Sequence, residues 1–417
     1  MNVLSNRDIP PLMSERRVSV IGAIMTAVGP VSMAIFTPAM TEIVHAFGTT
    51  EAAVKLTLSL YFAGFAFAQL ICGPLSDALG RKPVAFWFMG IYLLGSLVAL
   101  VAPTIEVLIL ARFLQGVGAA SGIAISRAIV RDLFTHERSA RILNLIGIIL
   151  AAGPAFAPTV GGLTMELANW HAIFLIMTML GVAIVLVIQF GLTETVARDP
   201  SRLRPRAILN SYRMLLGNGY FMGSSLAVAG AVGALYAQAT VLPFVLMDRV
   251  GLTPSQFGFG MLMQSGMFFI GSLVVRGLLP YRSAYAIVPI GIGFIAAGSV
   301  VMAAIHHMLP LTFLSVMGPV ALYAFGIAFI MPAMSTAALA PYPLMAGSAS
   351  ALSGFLQMGA GLTGGLAAAL IGDPVLALEM VIPGMGLVAV LSWAFWRTRP
   401  EPRMASLTRA EISVAGS

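Results

Sequence analysis

Twelve apolar runs, each long enough to cross a bilayer, punctuate the chain from end to end. A crossing needs roughly 20 mainly apolar residues to pass ~30 Å of hydrocarbon. Runs of that kind fall near 18–40, 52–74, 83–103, 107–129, 141–163 and 169–191. A second set falls near 219–243, 257–279, 285–305, 311–333, 346–371 and 375–396. With no water in the hydrocarbon, each run must satisfy its own backbone, so each is expected to be a helix. Only 9% of the residues are charged, where a soluble chain carries roughly a quarter, and this excludes a soluble enzyme. The first run, from Val18, reads as a retained span rather than a cleaved signal. The single cysteine, Cys72, excludes an internal disulfide framework and a cysteine-cluster metal site.

One polar interruption stands between the two sets of six. The chain therefore divides into residues 1–192, a linker at 193–213 rich in arginine, and residues 214–417. The expected fold is an all-α membrane protein of twelve transmembrane helices in two six-helix bundles. If both termini are cytoplasmic, twenty of the 23 basic residues fall on the cytoplasmic side. Lys55 and Arg249 fall outside, and Arg112 lies within a span. That asymmetry follows the positive-inside rule, and a miscounted helix near the middle would destroy it.

No acidic residue or histidine occupies the middle of any run. Arg112 is the one in-span charge, and a charge there costs about 2.5–3.5 kcal/mol on insertion scales, which makes it a functional candidate. It sits in Ala111-Arg112-Phe113-Leu114-Gln115-Gly116-Val117-Gly118-Ala119-Ala120-Ser121-Gly122, whose small residues permit close helix contact. Snorkelling to the membrane surface is the alternative reading. After the second run comes Gly73-Pro74-Leu75-Ser76-Asp77-Ala78-Leu79-Gly80-Arg81-Lys82-Pro83, a short turn with Gly for tight geometry and cations to hold it inside. Asp77 there is placed to cap a helix N-terminus, or the loop is simply a charged turn. The fifth run carries Gly153-Pro154-Ala155-Phe156-Ala157-Pro158, where two prolines free carbonyls for a kink, structural or gating.

In this order and on these helices, the three elements resemble the major facilitator superfamily. "LTLSLYFAGFAFAQLICGPLSDALGRKP", "SRAIVRDLF" and "AGSASALSGFLQ" narrow the resemblance to its Bcr/CflA drug-resistance family. The resemblance implies two pseudo-symmetric bundles, rocking alternating access, and export of small drug-like compounds in exchange for protons across a bacterial inner membrane. It also implies coupling or gating roles for Asp77, Gly80, Arg81, Gly153, Pro154 and Pro158. A monomer without cofactor or nucleic-acid partner is expected.

The chain departs from that pattern in places. Ala34 stands four residues before Pro38, where the family usually has its proton-carrying aspartate. Ala78, Lys55 and His171 replace the usual Arg, Gln and Arg. A cavity without an acid offsets no cation's desolvation, so neutral or anionic substrates are expected, with Arg112 as an anchor. Glu42 becomes the candidate proton carrier. Polar and aromatic mid-span residues should face the interior: Tyr61, Gln69, Gln115, Asn144, Tyr236, Gln238, Gln264, Tyr323 and Gln357. Of these Tyr61, Asn144, Tyr236 and Gln238 are the candidate substrate contacts.

Other classes fit less well. An ATP-driven pump needs a Gly-x-x-x-x-Gly-Lys-Ser/Thr loop, and neither Lys55 nor Lys82 stands in one. No His-Glu pair or serine elbow suggests a membrane enzyme, and no repeated filter suggests a channel. The remaining alternative is a facilitator, or an exporter of an endogenous neutral or anionic metabolite.

Overall fold

A computed structural model describes residues 12–134, 136–203 and 205–402, with side chains at 136, 137, 140, 144, 148–152, 202 and 344 outside that description. Arg7, Arg204, Arg403 and Arg409 of the basic set, and the side chains of Arg202 and Asn144, therefore lie outside the described residues.

Among the described residues, the twelve long helices in chain order are α1 (Glu15–Ala34), α2 (Glu51–Leu79), α3 (Arg81–Leu100), α4 (Ile105–Leu133), α5 (His136–Leu167) and α6 (Trp170–Leu186). They continue as α7 (Gly219–Ala239), α8 (Pro254–Leu278), α9 (Ala284–Met308), α10 (Phe313–Leu339), α11 (Ala346–Ile371) and α12 (Pro374–Arg397). Eleven spans among the described residues are long and apolar enough to cross a membrane, and α5 is the continuous helix in the remaining expected place. The first span runs further than the hydropathy indicated. Beyond α1 the chain makes a tight turn at Thr37–Ala39, where Pro38 has no amide to donate, and resumes as a short helix, Met40–Ala46.

Starts are set by side-chain caps. Ser14, Thr50, Thr104, Asn169, Asn218, Thr253, Ser283, Thr312 and Asp373 each accept a hydrogen bond from a first-turn amide. These polar N-caps stand at the ends of apolar runs, where helix amides lack partners. The linker carries a further helix, Pro205–Gly217, which Asn218 separates from α7.

The two halves pack by one scheme. α1 packs on α4 and α5, α4 also on α2 and α3, and α3 on α6. Raising every helix number by six gives pairings that are also made: α7 with α10 and α11, α10 with α8 and α9, α9 with α12. The apolar cores follow that division, one built almost wholly from residues 13–192 and the other from residues 220–389. α4 is the hub of the first bundle, and three glycines make it so. A Cβ at Gly116 would overlap the Tyr61 backbone of α2, at Gly118 that of Tyr92 in α3, and at Gly122 that of Met25 in α1. The close approaches expected of small residues in α4 are present.

Between the bundles, α2 packs on α11 and α5 on α8. The loops alternate between two ends. One, the linker end, gathers the α2–α3 turn, the linker and the start of α1; the other, the far end, gathers the starts of α2, α8 and α12.

Candidate functional site

Four groups of residues were singled out by the sequence, and the structure separates them.

At the linker end, Gly80 joins α2 to α3 with φ +101°, a backbone that glycine tolerates. A Cβ there would meet the Glu194 carboxylate at 2.5 Å. Asp77 does not cap α3. Glu194 of the linker takes that place, accepting from the amides of Arg81 (2.8 Å) and Lys82 (3.2 Å). Asp77 instead pairs with Arg81 one turn on, leaving no geometry for the cap. The nearly buried Arg81 side chain also grips Asp132 at the end of α4, Nε to Oδ2 at 2.9 Å, and donates to Ser76 Oγ at 2.7 Å. Thr195 Oγ1 donates to the same Asp132 oxygen at 2.9 Å. The turn, the end of α4 and the start of the linker are thus one polar network. Asp132 and Glu194 were missed by sequence reasoning. Asp132 lies within "SRAIVRDLF", where an acid just past a span reads as an ordinary loop charge.

Arg112 neither snorkels nor lines the space between bundles. Its side chain is fully buried inside the first bundle. The guanidinium carbon lies 4.5 Å from the ring centroids of both Phe36 and Tyr61. NH1 donates to Gln115 Oε1 (2.6 Å) and to the Ser32 carbonyl (3.4 Å), while Nε and NH2 have no hydrogen-bond partner. Gln115 passes the chain on to Ser96 Oγ at 2.8 Å, and Ser32 Oγ meets Tyr92 OH at 2.6 Å. Ser32 near the end of α1 and Phe36 in the turn just after it both face Arg112, while no contact between Ala34 and Arg112 is made among the described residues. The expectation that Arg112 anchors substrate is corrected for this conformation: Tyr61 and Phe36 cover it. Tyr61 is equally enclosed, its hydroxyl donating to the Gly29 carbonyl at 2.8 Å.

The third group lies on the α2–α11 and α7–α8 faces. Tyr236 of α7 is half-buried, its ring 5.3 Å from Phe62 of α2, and so touches the opposite bundle. Gln238 Nε2 donates to Gln264 Oε1 of α8 at 2.5 Å. Gln69 packs on Gly354 of α11, and Gln357 donates to Ser353 in its own helix. Tyr323 is buried within the second bundle, bonded to the Gly230 carbonyl at 3.3 Å. Tyr236 thus reaches the opposite bundle, while Gln238 ties α7 to α8 within the second bundle. Gln115 and Tyr323 serve as interhelical ties, and Asn144 lies outside the described side chains.

The fourth group is the seam at the far end. Pro154 and Pro158 do not break α5, which runs unbroken past both. Pro158 and Thr159 lie directly beneath α8: a Cβ on Gly258 would stand 2.5 Å from the Pro158 carbonyl oxygen and 2.7 Å from Thr159 Cα. Thr159 Oγ1 donates to the Gly258 carbonyl at 3.0 Å, and the Ser255 amide to Glu166 at 3.2 Å. Gly153 meets Val31 of α1 and stays within its own bundle. Glu42 is half-buried on the short helix after α1. Lys55, noted in the sequence as a departure only, crosses the seam. Its fully buried ammonium donates to Glu51 in its own helix and to the Gly372 carbonyl at the end of α11, each at 3.2 Å. Phe244 lies 5.1 Å beneath it. Nearby, partial burial and then Glu51 hold the Asp248 carboxyl above its ordinary value, against the opposing pull of His45 and Arg249.

Comparisons with known proteins agree with this architecture. The family model described as Major Facilitator Superfamily matches residues 22–365. An uncharacterized MFS-type transporter, YdgK, of Bacillus subtilis is 32% identical over 358 residues, 84% of this chain and 86% of that protein. Multidrug resistance protein D of Escherichia coli is 28% identical, covering 90% of this chain and 94% of that one. A bicyclomycin resistance protein homolog of Haemophilus influenzae is 26% identical over 90% and 95%. Among solved structures, a bacterial homolog to the human lysosomal transporter Spinster, inward-facing and occupied, superposes with a TM-score of 0.68 at 14% identity, covering 91% and 96%. Its inward-facing unoccupied form gives 0.67. Twelve helices in two related bundles, the Asp77–Arg81–Asp132 network and a match over most of the chain make this protein a membrane transporter of the major facilitator superfamily, in the Bcr/CflA drug-resistance branch, and not an enzyme.

Proposed function

We propose that the chain exports small drug-like compounds across a bacterial inner membrane by alternating access, in exchange for protons. The linker end and both termini are cytoplasmic in this reading, and the first bundle, linker and second bundle divide at 1–192, 193–213 and 214–417. A monomer suffices. The observation that carries the reading is the far-end seam. There the bundles meet backbone to backbone at Pro158–Gly258, tied by single hydrogen bonds that rigid-body rocking breaks without unfolding either bundle. Such a state is closed to the outside. The resistance named in the relatives' titles supports drug-like substrates.

Substrate contacts are assigned to Tyr236, which touches Phe62 of the opposite bundle, and to Gln238, both free of charge. Tyr61 and Arg112 contribute only if Tyr61 swings from its bond to Gly29. Asn144 remains in the proposed set from its mid-span polarity. Asp77, Gly80 and Arg81 hold the cytoplasmic turn during rocking, Pro154 and Pro158 shape the α5 face that parts from α8, and Gly153 seats α5 against Val31 of α1. Glu42 is the proposed proton carrier, on the short helix at the outer end of helix one. Ala34 favours a second reading, a facilitator or an exporter of an endogenous neutral or anionic metabolite without the usual helix-one carrier.

The test is accumulation of neutral, cationic and anionic compounds in an efflux-deficient bacterium expressing the protein, with and without a protonophore. Lowered accumulation that the protonophore abolishes is expected. Flux that merely equilibrates the compound, indifferent to the protonophore, selects the facilitator.

A further inference from the structure

At the linker end, on the outer flank of the first bundle, a groove of about 490 Å³ runs between the start of α3, the end of α6 and the linker. Lys82, Phe86, Trp87, Gln189, Glu194 and Arg198 line it. Its charges are not equivalent. The Glu194 carboxylate is consumed by four backbone amides, those of Arg81, Lys82, Thr195 and Val196. Lys82 Nζ donates to the neutral Gln189 carbonyl at 2.7 Å and keeps its charge. Arg198 is exposed and has no carboxylate within ion-pair distance among the described residues. The groove thus presents two cations that form no ion pair among the described residues.

Below the cations the wall is apolar. Trp87 is 70% exposed and heads a stripe on α3 that continues through Leu94 and Leu97 to Val101 just past its end, all exposed. Their spacing places them on one helix face. Trp87 to Leu94 covers about 10 Å at ~1.5 Å per residue. Cations at the rim, an aromatic ring at the level where indoles anchor, and a long apolar track beneath match one kind of molecule.

We propose that this groove holds an anionic phospholipid of the leaflet at the linker end, its phosphate between Lys82 and Arg198 and one acyl chain along Trp87, Leu94 and Val101. The bound lipid joins the linker to the ends of α3 and α6, beside the Arg81–Asp132 network, and so stiffens the side of the protein where the two bundles are connected. The site depends on the membrane setting alone and stands whatever the chain exports.

Native mass spectrometry of the purified full chain tests it, with phosphatidylglycerol and phosphatidylcholine as probes. Phosphatidylglycerol is expected to be held more tightly, by on the order of tenfold from two cations near the surface. Lys82→Gln with Arg198→Gln should bring it down to the phosphatidylcholine level, while Trp87→Ala should weaken both lipids alike. Arg198→Gln alone, which removes an exposed side chain, should still lower the preference several-fold and guards against misfolding of the double variant. Unchanged lipid preference in Arg198→Gln and in the double variant would overturn the site. Displacement of phosphatidylglycerol by excess inorganic phosphate would also overturn it, since the groove would then be a soluble-anion site.

Discussion

A methyl group added at Gly258 acts on the seam and nowhere else. Its Cβ would stand 2.5 Å from the Pro158 carbonyl oxygen and 2.7 Å from Thr159 Cα, both backbone atoms that no rotamer change can move aside. To regain ordinary contact at 3.4 Å, α5 and α8 must part by about 0.9 Å. Overpacking of this kind costs about 1–3 kcal/mol. The helix-propensity gain of Gly→Ala applies with the far end open or closed and cancels. The clash belongs to the closed state alone, so the closed-to-open ratio should fall roughly 5- to 150-fold.

The lone cysteine makes the assay direct. Cys72 is fully buried in α2 and reports unfolding of the first bundle. A cysteine placed at Ser255, where the amide meets Glu166 in the seam, reports opening. In intact cells a membrane-impermeant maleimide should label position 255 roughly ten times faster in Gly258→Ala, with Cys72 still protected. Gly266→Ala, on the same helix with open space around its Cβ, is the matched control and should label as the parent does. Equal rates at 255 in the two variants would refute the steric argument. Simultaneous exposure of Cys72 would show that the bundle, not the seam, had given way.

Four further outcomes follow from the same geometry. Thr159→Val removes one seam hydrogen bond and should raise labelling at position 255 only a few-fold, as a bond of about 0.5–1.5 kcal/mol allows. Asp132→Ala leaves the nearly buried Arg81 facing only the half-exposed Asp77, and should lower the unfolding temperature in detergent through a loss of about 2 kcal/mol; no shift would mean the network carries no stability. Arg112→Met removes a buried cation with two unpartnered N–H groups and no carboxylate within ion-pair distance among the described residues. An apolar side chain of similar reach is often no worse in such a place, so the unfolding temperature should hold or rise; a clear drop would show that the ring and Gln115 contacts outweigh burial. Asp248 binds its proton more tightly when folded than when unfolded, so stability should decline as pH climbs from 3.8 through its raised value. Asp248→Asn should flatten that part of the pH profile of unfolding temperature.

The architecture was legible because lipid leaves so few options. Apolar length gives helices, and the basic residues crowd into alternate loops, which fixes the count even where α5 is partly undescribed. The Gly-rich run on α4 gave close packing, because a missing Cβ has one main use in a helix interface. Facing was not legible. α4 is apolar on all sides, so no periodicity told whether Arg112 looked toward the other bundle or into its own. Only the three-dimensional meeting of Ser32, Phe36, Tyr61 and Gln115 decides that. Lys55 was hidden for a related reason: its acceptor is the carbonyl of Gly372, far along the chain, and a backbone carbonyl carries no sequence signature. Asp77 was misassigned because Glu194, the true cap of α3, arrives from beyond the sixth span.

The two ends of the molecule are held by different chemistry, and the difference bears on how it works. At the linker end the strong ties stay on one side: Arg81, Asp77, Asp132, Glu194 and Thr195 join the first bundle to the start of the linker. Tyr212 of the linker helix adds a bond to the Leu70 carbonyl of α2 at 2.7 Å. The start of the linker is thus held to the first bundle, while its helix packs on the second, Leu215 being buried in one apolar cluster with Phe221, Tyr342 and Leu352. At the far end the ties cross between bundles, and each is weak or carries its own opposing cost. Thr159–Gly258 is a neutral bond. Lys55–Gly372 is a charged one, but closing the seam strips water from its ammonium, and that desolvation offsets most of the gain. A gate built this way closes without becoming a trap, because hydration of Lys55 on opening returns much of what the broken contacts lose. Lys55→Met tests the balance. With the desolvation cost gone and the long side chain kept over Phe244, the far end should stay shut longer, and labelling at position 255 should slow, the reverse of Gly258→Ala. Faster labelling would mean that the Gly372 bond, not the cost of burying the charge, dominates the gate.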